Sequence, residues 1–143
     1  MQKTARGIIF KEIDGNKSIV SIKRTKYRDD GEYIYYTFPG GHVEENETFE
    51  ETLIREIDEE LGVKVEIENL LLELYNADLD KEEKFYICKH VSGNIGTGTG
   101  PEWQNVDYKK YGKYEICYIN IDEILNYNLL PKEVSIKLSE MKF

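Results

Sequence analysis

The chain has 143 residues, 40% of them hydrophobic and 33% charged, a length and balance that suit one compact domain with one core over 1–143. Its formal net charge of −9 opposes binding to nucleic-acid polymers and to anionic membranes by bulk electrostatics, while leaving small anionic substrates open through a bridging cation. No apolar run approaches bilayer length and the N-terminal MQKTARGIIF lacks a secretory core, so a cytoplasmic location is expected.

In chain order, TARGIIFKEI reads as a strand that closes at an Asp14-Gly15-Asn16 turn. SIVSIKR is a second strand and Lys26–Gly31 a polar loop. EYIYYTF, rich in aromatic and β-branched residues, is a third strand ending at Phe38-Pro39-Gly40-Gly41. A helix follows from about Thr48 to Leu61. Val63–Ile67 alternates like a strand, and Leu70–Tyr75 is favoured as another. KFYICKHV is strand-like, SGNIGTGTGPEW a glycine-rich loop, and KYEICYINI a further strand. IDEILNY forms a short helix, and an amphipathic helix opens at Pro131. Strands outnumber helices without a βαβα alternation, which predicts an α+β fold with a mixed sheet rather than a doubly wound one. Cys88 and Cys117 stand alone in apolar runs and are expected as buried free thiols; zinc is not expected.

The helix carries the main chemical signal. Phe49, Leu53, Ile57 and Leu61 form its apolar stripe, widened by Ile54. Thr48 and Glu51 fit a capping box and Gly62 a C-terminal stop. Yet Glu56, Glu59 and Glu60 share one sector, with Glu60 at the edge of the stripe. Each like-charged pair at this spacing costs roughly 0.2–0.5 kcal/mol. An acid in the last turn costs about 0.3–1 kcal/mol against the helix dipole. Local stability does not favour such a cluster, and a divalent cation reverses the sign of these costs. Hard oxygen donors point to Mg²⁺ or Mn²⁺.

Upstream, FPGGHVEENETFEE puts two glycines after a strand, where backbone can approach a ligand. Gly41, Glu47, Arg55, Glu56, Ile57, Glu59, Glu60, Gly62 and Val63 stand in one ungapped frame. It resembles the Nudix box of the Nudix hydrolases: Gly, five residues, Glu, seven residues, then Arg-Glu-aliphatic-x-Glu-Glu-x-Gly-aliphatic. The resemblance implies an α/β/α sandwich and Mg²⁺- or Mn²⁺-dependent hydrolysis of a nucleoside diphosphate linked to another moiety, such as a modified nucleoside triphosphate. It implies Glu59 and Glu60 as principal metal ligands and Glu56 as a third ligand or the base. Arg55 would orient an acid, Glu47 would support the box, and the Gly40 carbonyl would be a backbone ligand. The alternative on the same fold is a non-catalytic nucleotide-binding or regulatory domain. Homodimers are common in the family, so a homodimer is one assembly it suggests.

Outside the box, Glu102 and Glu115 are candidates for a further acid, against a plain surface role. Arg6 and Arg24 are candidates to grip phosphates, against ordinary solvated arginines. Trp103 either stacks on a base or packs on the sheet. GNIGTGTG fails as a phosphate loop because Thr99 and Gly100 fall where Lys and Ser/Thr are needed, so it reads as a flexible loop or lid. NADLDKEEK lacks the glycine of a calcium loop. His42 and His90 read as surface or loop residues.

Overall fold

A computed structural model describes residues 1–100, 103 and 107–143. The chain forms two compact units, one of Met1–Phe10 with Pro39–Gly100 and one of Lys11–Phe38 with Pro101–Phe143.

In the first unit, β1 (Gln2–Ile13) buries the consecutive residues Gly7, Ile8 and Ile9 and lies between β4 (Gly40–His42), antiparallel, and β6 (Lys81–Ser92), parallel. β5 (Lys64–Asn76) adds to the far side of β6, antiparallel. The mixed sheet is covered by α1 (Phe49–Leu61), which starts at the predicted capping box and ends at Gly62 in the left-handed conformation. Leu53, Ile57 and Leu61 are fully buried, each burial contributing about 1.5–3 kcal/mol. The contact with β1 requires Gly7: a Cβ there would lie 2.8 Å from Ile57 Cδ1 and 3.4 Å from Leu53 Cδ1. Ile54, expected to widen the stripe, is 40% exposed, because the sheet covers a narrower arc of the helix than the apolar residues span.

In the second unit, β2 (Asn16–Arg28) pairs antiparallel with β7 (Lys113–Asn120) and β3 (Gly31–Thr37), and β3 pairs parallel with β8 (Leu129–Leu130). α2 (Tyr108–Tyr111) is a single turn before β7. A 3-10 helix at Ile121–Asn126 is capped by Asn120 Oδ1, which accepts from Asp122 N at 3.0 Å. The last helix, α3 (Lys132–Glu140), buries Val134, Ser135 and Leu138.

Three expected elements are corrected. Lys26–Gly31 is no loop: β2 runs to Arg28, which pairs with Gly31 across a two-residue turn. The polar residues are accommodated because Arg28 lies over the Tyr33 ring at 4.5 Å. The stretches expected at Val63–Ile67 and Leu70–Tyr75 are one strand, β5, which starts at Lys64 and whose register slips between Ile67 and Asn69 and again between Leu70 and Leu72. Those irregularities break the alternation that a sequence reading follows. Cys88 is buried as expected, its thiol pushed up to about 12 by burial, but Cys117 is only half-buried. No helix among the described residues is long and apolar enough to cross a membrane.

Candidate active site

The acidic sector of α1 is organised by one arginine. Arg55 donates to Glu47 through two nitrogens, Nε to Oε2 at 2.7 Å and Nη2 to Oε1 at 3.0 Å. This two-point fork is the strong geometry for a guanidinium and a carboxylate. Its remaining nitrogen, Nη1, donates to Glu56 Oε1 at 3.0 Å and to Glu59 Oε2 at 3.4 Å. Nη2 also reaches the His42 carbonyl at 3.4 Å. Glu47 is held in turn by the Thr52 hydroxyl at 2.5 Å and by Glu44 N–H at 3.2 Å. The Arg55 hydrogen bond, followed by that from Thr52, pulls the Glu47 carboxyl down to about 2. The same pairing with Glu47 raises Arg55 above its ordinary value, against the opposing effect of its partial burial.

Glu60 is set apart from this hub. It is 9% exposed, and its Oε1 accepts from Gly40 N–H at 3.2 Å. The two glycines before the helix explain how the backbone comes so close. Gly40 has φ +145°, and a side chain there would run into the β1 backbone at Ala5 and Arg6. A Cβ on Gly41 would fall 2.5 Å from Glu56 Cδ, so the Glu56 carboxylate lies directly against the Gly41 backbone. β4, read from the sequence as the stop of a strand where backbone can approach a ligand, is itself a strand that delivers Gly40 and Gly41 to two of the helix's carboxylates.

The donors are of the right type for a hard divalent cation, carboxylate oxygens and a backbone carbonyl. One guanidinium faces Glu47, Glu56 and Glu59, with Glu60 beside the Gly40 backbone, so negative charge is in excess. Among the described residues, no three acidic, imidazole or thiol side chains already stand in an arrangement able to hold a metal. The donor set fits the ion by type and charge, and the carboxylates are now turned toward Arg55 and the Gly40 amide.

Arg6 stands in the same unit. Its Nη1 reaches the Gly40 carbonyl at 3.5 Å and its Nε lies 3.8 Å from Glu83 Oε2. Glu83, opposite Thr4 in the β1–β6 register, also accepts from Thr4 Oγ1 at 2.7 Å and lies 3.7 Å from Lys81 Nζ. Partial burial, then Lys81 and Arg6, hold the His42 ring below its ordinary pKa. Sequence reasoning missed Glu83 because nothing in the sequence pairs residue 83 with Arg6; only the parallel register does so.

Arg24, Trp103 and Glu115 lie in the second unit. The Arg24 guanidinium sits 3.6 Å from the Tyr114 ring centroid and donates to the Tyr111 carbonyl at 3.1 Å and the Tyr35 hydroxyl at 3.4 Å. Trp103 meets Tyr114 edge-on, centroids 6.3 Å apart. Glu115, on β7 opposite Lys23, lies 3.8 Å from Lys113 Nζ. Arg24 is thus neither free nor simply solvated, since aromatic rings and a carbonyl already engage it. Tyr35 and Tyr114 are its partners, and the sequence signalled them only as aromatic residues in strands. Glu102 lies outside the described residues.

Comparisons with known proteins agree on one family. The NUDIX domain family pattern matches residues 1–125. The chain is 52% identical over 85 residues to an 8-oxo-dGTP diphosphatase of Proteus vulgaris, covering 59% of this chain and 67% of that protein. It is 29% identical over 122 residues to Nudix hydrolase 2 of Arabidopsis thaliana, covering 82% of this chain but only 42% of that longer protein. A crystal structure of a MutT NUDIX hydrolase from Burkholderia pseudomallei superposes with a TM-score of 0.67 at 23% identity, over 99% of this chain and 98% of that one. That last similarity concerns the fold alone.

Proposed function

Because the chain belongs to the Nudix hydrolase family and has its α+β fold, we propose that it is a Mg²⁺- or Mn²⁺-dependent pyrophosphohydrolase. Its substrate would be a nucleoside diphosphate linked to a further group. The similarity to an 8-oxo-dGTP diphosphatase favours a modified nucleoside triphosphate within that class. The observation that carries the reading is the Arg55 hub, which gathers Glu47, Glu56 and Glu59 beside Glu60 and the Gly40 backbone.

In this reading Glu59, Glu60, Glu56 and the Gly40 carbonyl hold the divalent ion. When bound, that ion supplies Lewis acidity toward phosphoryl oxygens and lowers the pKa of a bound water. Arg55 holds the Glu56 and Glu59 carboxylates together on one nitrogen and orients them, and Glu47 keeps Arg55 in place. Glu56, or an acid outside the box such as Glu102 or Glu115, takes the proton of the attacking water. Arg6 is assigned to a substrate phosphate, supported by its place beside the Gly40 carbonyl, 3.5 Å from Nη1. Arg24 and Trp103 are assigned to substrate binding on the strength of their aromatic neighbourhood. The chain works as one hydrolase domain in the cytoplasm, with a small nucleotide rather than a polymer or membrane as its partner, and a homodimer is its proposed assembly.

The test is a panel of nucleoside triphosphates, their oxidised forms, nucleotide sugars, dinucleotide polyphosphates and ADP-ribose, assayed for mononucleotide or pyrophosphate release with Mg²⁺ and with chelator. The expected result is metal-dependent release from at least one member. Tight nucleotide binding without turnover across the panel would replace the enzyme with a binding domain.

A further inference from the structure

The glycine-rich segment after β6, expected from the sequence as a flexible loop or lid, is joined to the last turn of α1. Gly96 N–H and Thr97 N–H both donate to the Leu61 carbonyl, at 3.0 and 3.3 Å, and Gly100 N–H donates to the Glu59 carbonyl at 2.8 Å. Gly62 N–H donates to the Asp58 carbonyl at 2.9 Å. Carbonyls that a helix end normally leaves to water or to a cap are thus met by a segment more than thirty residues away in sequence. Thr97 fastens the segment further, its hydroxyl donating to the Asn94 carbonyl at 2.7 Å and lying 3.3 Å from the Gly62 carbonyl.

The approach is close enough to demand glycine. A Cβ on Gly98 would stand 2.5 Å from the carbonyl oxygens of both Glu59 and Glu60 and 2.6 Å from the Glu60 carbonyl carbon. These are backbone atoms of the two residues whose side chains the proposed site uses, and they cannot swing aside as a flexible side chain would. The electrostatics run the same way. The last turn of α1 has no basic residue, and two glutamates sit at the negative end of the helix dipole. Amide N–H groups directed at the terminal carbonyls offset part of that negative field.

We propose that the Asn94–Gly100 segment is a positioning device for Glu59 and Glu60. It locks the backbone that carries them and offsets the helix-end dipole, so that the two carboxylates are presented together to a divalent cation. Gly98 and Thr97 are its positioning residues, acting through Glu59 and Glu60. The inference rests on the metal-binding reading of the site.

The test is Mn²⁺ titration of the full chain followed by water-proton relaxation, with thermal melting of each variant measured in parallel and titrations run well below every melting temperature. Wild type should bind Mn²⁺. Gly98→Ala should bind about tenfold more weakly or worse, the range seen when outer partners of metal ligands are lost, and Thr97→Ala should weaken binding to a lesser degree. A merely structural role would lower the melting temperature and leave the dissociation constant of the folded protein unchanged, and that result overturns the proposal. If Gly98→Ala does not fold, Thr97→Ala decides, and wild-type affinity in it overturns the proposal. Failure of the wild type to bind Mn²⁺ would remove the metal-binding reading itself, and this inference with it.

Discussion

Arg55 and Arg24 show how one residue type serves two regions in opposite ways. Arg55, in the first unit, spends its nitrogens on carboxylates: Glu47 by a fork, Glu56 and Glu59 through Nη1. Arg24, in the second unit, offers its flat face to Tyr114 at 3.6 Å and its edge to a carbonyl and a phenol. Its buried Nε finds no hydrogen-bond partner among the described residues. A stacked guanidinium contributes about 0.5–2 kcal/mol, and a buried donor without a partner costs about 1–3 kcal/mol, so the two effects of Arg24 nearly offset. Around Arg55 the partners are carboxylates and the His42 carbonyl, and the guanidinium offsets the mutual repulsion of the acids. The first region is therefore organised to hold charge in fixed positions, the second to hold a cation against rings.

Removing a carboxylate from the first region gives the largest effect. Glu59→Gln and Glu60→Gln should each lower Mg²⁺-dependent turnover by at least about a hundredfold, since losing a proposed ligand should exceed the 10–100-fold typical of outer partners. Steady-state assays on the best substrate of the panel check this, and near-normal turnover in either variant would move the metal elsewhere. Arg55→Lys is the next step down. A lysine is a point charge and cannot fork onto Glu47 while reaching Glu56 and Glu59. Turnover should fall roughly 10–100-fold, with the secondary structure by circular dichroism unchanged.

The Arg55–Glu47 pair also makes a prediction about acid stability. Glu47 is drawn from 4.5 down to about 2 in the folded chain. A depressed carboxyl contributes stability that is fully present above its unfolded value and is lost as pH falls through the folded one. Wild type should therefore be more stable than Glu47→Gln above about pH 5, and the gap should narrow steadily from pH 4.5 and vanish as pH passes below about 2. Urea unfolding at a series of pH values measures it, and a gap as large at pH 2 as at pH 5 would contradict the assignment. The smallest effect is expected on the other side of the comparison. Arg24→Met should change stability by less than about 1 kcal/mol, because stacking lost and an unpaired donor removed offset each other. A loss well above that in urea unfolding would mean that the bonds to Tyr111 and Tyr35 outweigh both.

Much of this was legible in the amino-acid order, and for identifiable reasons. The helix, its Thr48–Glu51 cap and its Gly62 stop are local features: each depends on residues within about one turn, and all three are present. The box is legible because Gly41, Glu47, Arg55 and the three glutamates stand in the ungapped frame of a family motif, while helical spacing alone groups only the three glutamates. β5 was legible only in pieces, because its irregularities are set by its partner β6 rather than by its own residues. The hairpin at Asp29–Asp30 was hidden because the polar residues of β2 are stabilised by rings on the neighbouring strand.

The sequence by itself determined the family, the acidic helix with both its ends, and the chemical type of the donors. Those properties follow from residue identity and short-range spacing. Tertiary structure alone decided that β4 brings Gly40 to Glu60, that Glu83 stands by Arg6, and that the glycine-rich segment closes the end of α1. Each of these joins residues distant in the chain through strand register or backbone approach, and neither leaves a pattern in the local sequence.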